Sequence, residues 1–232
     1  MRTLLTCIVA LTVVAATTGC GGGPVATVTT GGAGGELHRD GDWGYGVVLD
    51  NASATQDATD VAVTVRLLDG SGAVVEREFQ TVKVIPADGT FYLGGGDMLG
   101  DTGKTATKVD VDVHVGGLVD SQYTLPVATH VRIIRYRDSV SVRGRVTNDF
   151  EGHLSKEALI SCVLFGPDGE VVGGGDGHLA ANLAPGKTAF FEIALGTMAA
   201  RPERVASAKV SISNDFILPV RGMASPASSQ GD

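Results

Sequence analysis

The sequence predicts an all-β protein: two tandem immunoglobulin-like antiparallel β-sandwiches behind a signal peptide and a flexible tether. Three observations carry this. Apolar residues alternate strictly with polar ones in several five- to nine-residue runs, such as Val61, Val63, Val65 and Leu67, which places one strand face in a core and the other in water. The runs are separated by Asp-Gly, Gly-Ser and Pro-Gly turns, at Asp69-Gly70-Ser71-Gly72 and Gly166-Pro167-Asp168-Gly169 among others, as in hairpin-rich sandwiches. The same pattern also occurs twice. Asn51 and Asn148, Gly72 and Gly169, and Val75 and Val172 are each separated by 97 positions, so a unit of about 90 residues, with room for roughly seven strands, has been duplicated.

The elements follow in chain order. Met1-Arg2-Thr3 is a short positive start, and Leu4 to Ala16 is an apolar run of thirteen residues. That is short for a bilayer span and fits a secretory signal. Thr17-Thr18-Gly19-Cys20 and the following Gly21-Gly22-Gly23-Pro24 resemble the lipobox of bacterial lipoproteins, with Thr17 where the family usually has leucine. The resemblance implies cleavage after residue 19, a diacylglyceryl group on Cys20, and a membrane partner through that lipid. The expected location is the extracytoplasmic face of the cell membrane. Removing residues 1–19 takes away Arg2 and no acid, changing the net charge from −8 to −9. Residues 20–35, mostly Gly, Thr, Ala and Val, read as a flexible tether. Residues 36–127 and 128–222 are the two sandwich repeats, and 223–232 a polar, disordered tail.

Within the repeats, Leu49-Asp50-Asn51 matches Val146-Thr147-Asn148, and Val61–Leu67 matches Ala158, Ile160, Cys162 and Leu164. Thr90-Phe91 matches Thr188-Ala189-Phe190 at a slightly larger offset, and Val111, Val113 and Val115 match Ala208, Val210 and Ile212. Leu125-Pro126-Val127 is answered by Leu218-Pro219-Val220. Gly72 and Gly169 are placed to take the positive φ of hairpin turns. The 33 glycines among 232 residues, about twice the usual share, read as turn residues between strands. Thr197–Arg204 fits at most one helical turn. The junction near Ala128–His130 is short and predicts little freedom between the halves.

The run of alternating valines into Leu67-Leu68-Asp69-Gly70-Ser71-Gly72, with Val74-Val75 and then Pro86, Gly89, Thr90 and Phe91, resembles the FxLYD-type domain of bacterial lipoproteins. The second repeat is similar through Val163 to Gly169 and Ala184 to Phe191. The family's tyrosine is replaced by Leu68 and, in the second repeat, its aspartate by Gly166. This resemblance implies an immunoglobulin-like sandwich outside the cell without catalytic activity, and transfers no functional residues.

Chemistry-bearing residues are few. The charge of −8 argues against nucleic acid as a partner, since phosphate binding needs a basic stripe. Cys7 falls in the signal and Cys20 in the lipobox, so Cys162 is the one remaining thiol, without a disulfide partner. Aligned with Val65, it reads as a small buried hydrophobe. Asp110, Asp112 and His114 share the outward face of one strand, about 7 Å apart. They would hold a divalent cation only if a neighbouring strand added ligands, and a solvated face is the expectation. Gly103-Lys104-Thr105 resembles the end of a phosphate-binding loop but has Met98 where that loop requires glycine. Leu125-Pro126-Val127-Ala128-Thr129 departs from a sortase signal, and the five histidines (His38, His114, His130, His153 and His178) show no ligand spacing. No catalytic, cofactor or metal residue is nominated, so the site expectation is Cys20 alone. Trp43, Tyr45, Tyr123 and Tyr136 stand outside the alternating cores and are the aromatic candidates for a binding surface, Tyr45 having inward parity. The functional expectation is a non-catalytic binding module for protein or cell-envelope polymer, with an accessory role beside an envelope enzyme or transporter as the alternative.

Overall fold

In the computed structural model the described residues are 27–37, 41–98, 105–106, 108–195 and 201–213. Cys20 and the rest of the signal and lipobox, Gly103-Lys104, and the tail from 223 onward lie outside them. Among the described residues there are twelve strands and a single 3-10 turn at Pro202–Arg204. No helix there is long and apolar enough to cross a membrane.

The strands divide into two sets of six with one topology. The first set is β1 (Val28–Leu37), β2 (Asp42–Asn51), β3 (Gln56–Leu68), β4 (Val74–Ile85), β5 (Thr90–Met98) and β6 (Lys108–Asp120). The second is β7 (Ala128–Arg135), β8 (Val140–Thr147), β9 (Leu159–Phe165), β10 (Val171–His178), β11 (Thr188–Ala194) and β12 (Ser207–Ser213). Each set forms two three-stranded antiparallel sheets, β1-β2-β5 with β4-β3-β6 and β7-β8-β11 with β10-β9-β12. One apolar cluster includes Tyr45, Leu49, Val63, Leu67, Phe91 and Leu93. The other includes Val142, Ile160, Cys162, Leu164, Phe191 and Ile193. The predicted all-β, immunoglobulin-like sandwich architecture is present, with six strands in each set.

The duplicated asparagines perform the same work. Asn51 is buried; its Nδ2 donates to the carbonyls of Gln56, Ile85 and Pro86 at 2.9, 3.0 and 3.2 Å, and its Oδ1 accepts from the Ser53 amide. Buried Asn148 donates to the carbonyls of Gly152 and Leu183 at 2.7 and 2.8 Å and accepts from the Phe150 amide. Each ties a strand end to a facing turn, adding a second bond to carbonyls such as Pro86 and Leu183 that already accept from the Gly89 and Leu154 amides. The hairpin glycines also behave as predicted, Gly72 at φ +86° and Gly169 at φ +80°.

Two expectations are corrected. Val28–Gly35 is not tether but most of β1, paired with β2 from Val28↔Asn51 to Leu37↔Trp43. A segment too poor in side chains to fold alone is held here by ladder hydrogen bonds and by the sheet stacked over it. The equivalence of Phe91 and Phe190 is one residue out. Phe91 pairs with Leu49, whereas Phe190 pairs with Arg145 and Ala189 with Val146. Phe91 therefore corresponds to Ala189, Tyr92 to Phe190, and Leu93 to Phe191. Phe190 accordingly points to solvent while Phe191 enters the core.

Cys162 is fully buried in the second core, and desolvation pushes its thiol up to about 12. Burial, reinforced by the charge of Glu78, also raises the Tyr45 phenol well above its ordinary range. Both groups hold their protons more tightly folded than unfolded, so this contribution is complete below pH 9 and is lost as pH climbs through the folded values. Urea melts should show stability falling from about pH 9 upward, by as much as about 1.4 kcal/mol per pH unit for each titrating group. Cys162→Ala should reduce that slope, and thiol reagents at neutral pH should label Cys162 only after denaturation. An unchanged slope in the variant would remove Cys162 as a cause.

Candidate functional site

The two sandwiches are stacked face to face: β10 lies across β1, β2 and β5, and β9 across β2 and β5. The order of layers is β4-β3-β6, β1-β2-β5, β10-β9-β12, β7-β8-β11. The middle contact is built from glycine. A Cβ at Gly34 would sit within 1.9 Å of the Val171 carbonyl oxygen, one at Gly46 within 2.3 Å of the Gly173 carbonyl, and one at Gly94 within 2.1 Å of the Cys162 carbonyl. Side chains normally hold stacked sheets about 10 Å apart; these rows let the backbones meet instead. The Gly94 amide donates to Ser161 Oγ, Ser161 Oγ donates back to the Gly94 carbonyl, and the Tyr92 amide donates to Ser211 Oγ at 2.8 Å. Tyr92 meets Phe165 edge to face at 6.3 Å, and Arg204 pairs with Glu36 at the rim. Much of the glycine excess thus serves sheet-to-sheet contact rather than turns.

Because both sets have one topology, the buried and free faces can be compared position by position. In the buried sheet β1-β2-β5 a row runs Gly34–Gly46–Gly94. The corresponding row of the free sheet β7-β8-β11 runs Arg132–Arg143–Glu192. The neighbouring pair Val48–Tyr92 corresponds to Arg145–Phe190. One face of a duplicated sheet has therefore been stripped for packing, and its counterpart loaded with guanidinium groups and an exposed ring.

That free face has definite geometry. Phe190 is 71% exposed, with the Arg145 guanidinium 4.6 Å from its ring centroid. Arg143 pairs with Glu192 at 2.9 Å and reaches the Tyr136 hydroxyl at 3.3 Å. The hydrogen bond from Arg143 holds the Glu192 carboxyl below the usual carboxylate range. Arg132 stands directly opposite Arg143, an arrangement that costs stability between like charges. Among the described residues no carboxylate pairs with Arg132 or Arg145.

The other free face, on β4-β3-β6, carries the predicted acidic trio. Asp110, Asp112 and His114 do project outward together, but Asp110 and Asp112 lie 2.8 and 3.7 Å from the guanidinium of Arg66. A resident cation of the protein's own thus occupies the side from which further ligands would have to come. Phe79 is 69% exposed on this face, with Arg77 6.0 Å from its ring.

Of the four aromatic candidates, Trp43 and Tyr45 are buried in the first core, their rings stacked at 5.7 Å. They are not surface anchors: their parity on β2 matches that of Val47 and Leu49. Tyr123 is half-buried, its amide bonded to Asp57, and Tyr136 is exposed beside Arg143. Phe190 faces outward because it immediately precedes core Phe191 in a strand of period 2, while no local pattern places Arg132 and Arg145 beside it. Where the sheets meet, Trp43, Gly95, Gly96, Gly174 and Asp176 help line a cavity of about 40 Å³, room for a few waters but not for a sugar or peptide side chain.

No family model matches the chain, and no curated protein matches it. Among solved structures the chain is similar to the crystal structure of red sea bream transglutaminase, at 12% identity and a TM-score of 0.28; the match covers 82% of this chain and 29% of that one.

Proposed function

We propose that this protein is an exported, lipid-anchored, non-catalytic binding module that displays a sheet face to the cell envelope, with domains of the FxLYD type. The supporting observation is the asymmetric treatment of a duplicated sheet: Gly34, Gly46 and Gly94 are packed away, while Arg132, Arg143, Arg145 and Phe190 are presented to solvent. Burying one face of each sandwich against the other fixes the orientation of the exposed one, and a fixed face loses little entropy on binding. The lipobox-like Thr17-Thr18-Gly19-Cys20 supports attachment through Cys20.

The test is a crosslinked pull-down of the full-length tagged protein from its own membranes, beside Cys20→Ala. The expected result is membrane fractionation of the wild type, release of the variant to the soluble fraction, and a crosslinked envelope component retained by the wild type. Identical fractionation of the two forms would overturn the anchor, and turnover abolished by replacing one carboxylate or histidine would overturn the non-catalytic reading.

A further inference from the structure

We infer that the free face of β7-β8-β11 binds an anionic glycan, a sugar chain bearing carboxylate or phosphate groups; this rests on the binding-module reading and names the chemistry of its ligand. Three features of the face converge on that ligand. The first is charge. On a chain of net charge −8, the outward positions of this sheet hold Arg132, Arg143 and Arg145 against Glu192 alone. Arg132 and Arg143 face each other as direct cross-strand neighbours, an arrangement that an anion between them converts from repulsive to attractive. Guanidinium forks suit carboxylate and phosphate because both offer two oxygens in the plane of the fork.

The second feature is the ring. Phe190 carries the Arg145 guanidinium over one side of its ring and stays 71% exposed, so an apolar surface of about the size of a pyranose and a cation share one spot. An aromatic surface next to a charge suits a ligand that alternates apolar sugar faces with anionic groups. Tyr136, 48% exposed and bonded to Arg143, extends the same row toward the β7–β8 turn. The third is shape. The face is the outer side of a three-stranded sheet, a surface that a polymer can lie along.

An anionic membrane fits less well. A planar bilayer confronts the whole acidic molecule, while a single chain meets only the face, within a screening length of about 8 Å at physiological salt. One exposed ring also offers little apolar area for insertion.

The experiment uses the full chain carrying Cys20→Ala, so that its outcome does not depend on whether Cys20 anchors the protein. Binding is measured to polygalacturonate (a carboxylate on every sugar), dextran (sugars without charge), inorganic polyphosphate (charge without sugars) and vesicles containing phosphatidylglycerol. We expect binding to polygalacturonate that weakens with salt, and none to dextran. Arg145→Gln and Arg132→Gln should each weaken it roughly tenfold, in keeping with loss of a charge-assisted bond. Phe190→Ala should weaken it severalfold, while Phe79→Ala, the matching change on the opposite free face, should leave it unchanged. All four positions are solvent-facing, so folding is checked simply by urea melts of each variant. Equal losses from Phe79→Ala and Phe190→Ala, or no affinity for polygalacturonate, would overturn the proposal. Binding of polyphosphate that ignores Phe190→Ala while matching polygalacturonate would overturn the sugar component, and Arg145-dependent binding to vesicles alone would assign the face to the membrane instead.

Discussion

Gly94→Val is expected to destabilise the protein by about 3 kcal/mol, at the upper end of overpacking costs, and to part the two sandwiches. A Cβ there would lie 2.1 Å from the Cys162 carbonyl oxygen and 2.5 Å from the Gly175 amide nitrogen, both backbone atoms of the facing sheet. Neither can turn aside as a side chain would. The paired hydrogen bonds between Gly94 and Ser161 would be lost with the contact, leaving polar groups of both strands to find water. Trp43 is the chain's single tryptophan, 3% exposed and beside the cavity at this junction, so its fluorescence should shift to the red as the sheets separate. Small-angle scattering should show a longer particle. Gly70→Val is the control: a Cβ at Gly70 meets nothing within 4 Å, and its urea midpoint should move by less than about 0.5 kcal/mol equivalent. A Gly94→Val chain with unaltered melting and fluorescence would refute the glycine packing.

Asp57→Ala is expected to cost about 4 kcal/mol, more than the junction variant. Its carboxylate is fully buried and accepts from the Ala87 amide at 2.7 Å, the Gln122 amide at 2.7 Å and the Tyr123 amide at 2.8 Å. It thereby ties the start of β3 to the β4–β5 turn and to the chain leaving β6. Alanine removes the acceptor and leaves three amides facing an apolar gap. Asp57→Asn keeps the shape and one acceptor oxygen and should recover part of the loss. The second set meets the same need differently: Leu154, 97 positions on, is a buried hydrophobe bridged through its backbone to Leu183. Chemical melts of the two variants, followed by circular dichroism, decide this; a loss below about 1 kcal/mol in Asp57→Ala would show that water replaces the carboxylate.

How much of this could be read beforehand differs by layer. Alternation in β3 and β6, the turn glycines Gly72 and Gly169, the paired asparagines and the buried state of Cys162 depend on neighbours a few residues away, or on one repeat seen twice, and were legible. The stacking was not, although it left two marks. Leu159–Phe165 is apolar or small at every position, the pattern of a strand covered on both faces. Glycines cluster inside β1, β2, β5 and β10, where Gly34, Gly46, Gly94 and Gly174 meet the backbone of the facing sheet. Both marks are ambiguous in one dimension, because a glycine in a strand and a glycine in a turn look alike until the partner is known.

The candidate face follows the same division. Alternation about Phe191 determines that Phe190 faces out, and nothing local says that Arg132, Arg143 and Arg145 share its surface, since they sit on two other strands brought alongside β11 by pairing. The sequence by itself determined an all-β chain, its duplication, its cores and its turns, because each follows from alternation and backbone freedom within a short stretch. Only the tertiary structure decided which sheet of each sandwich is buried and which is bare. Two copies of one topology offer the same faces, and the choice rests on backbone contact between residues such as Gly94 and Cys162, far apart in the chain and joined only when the sheets meet.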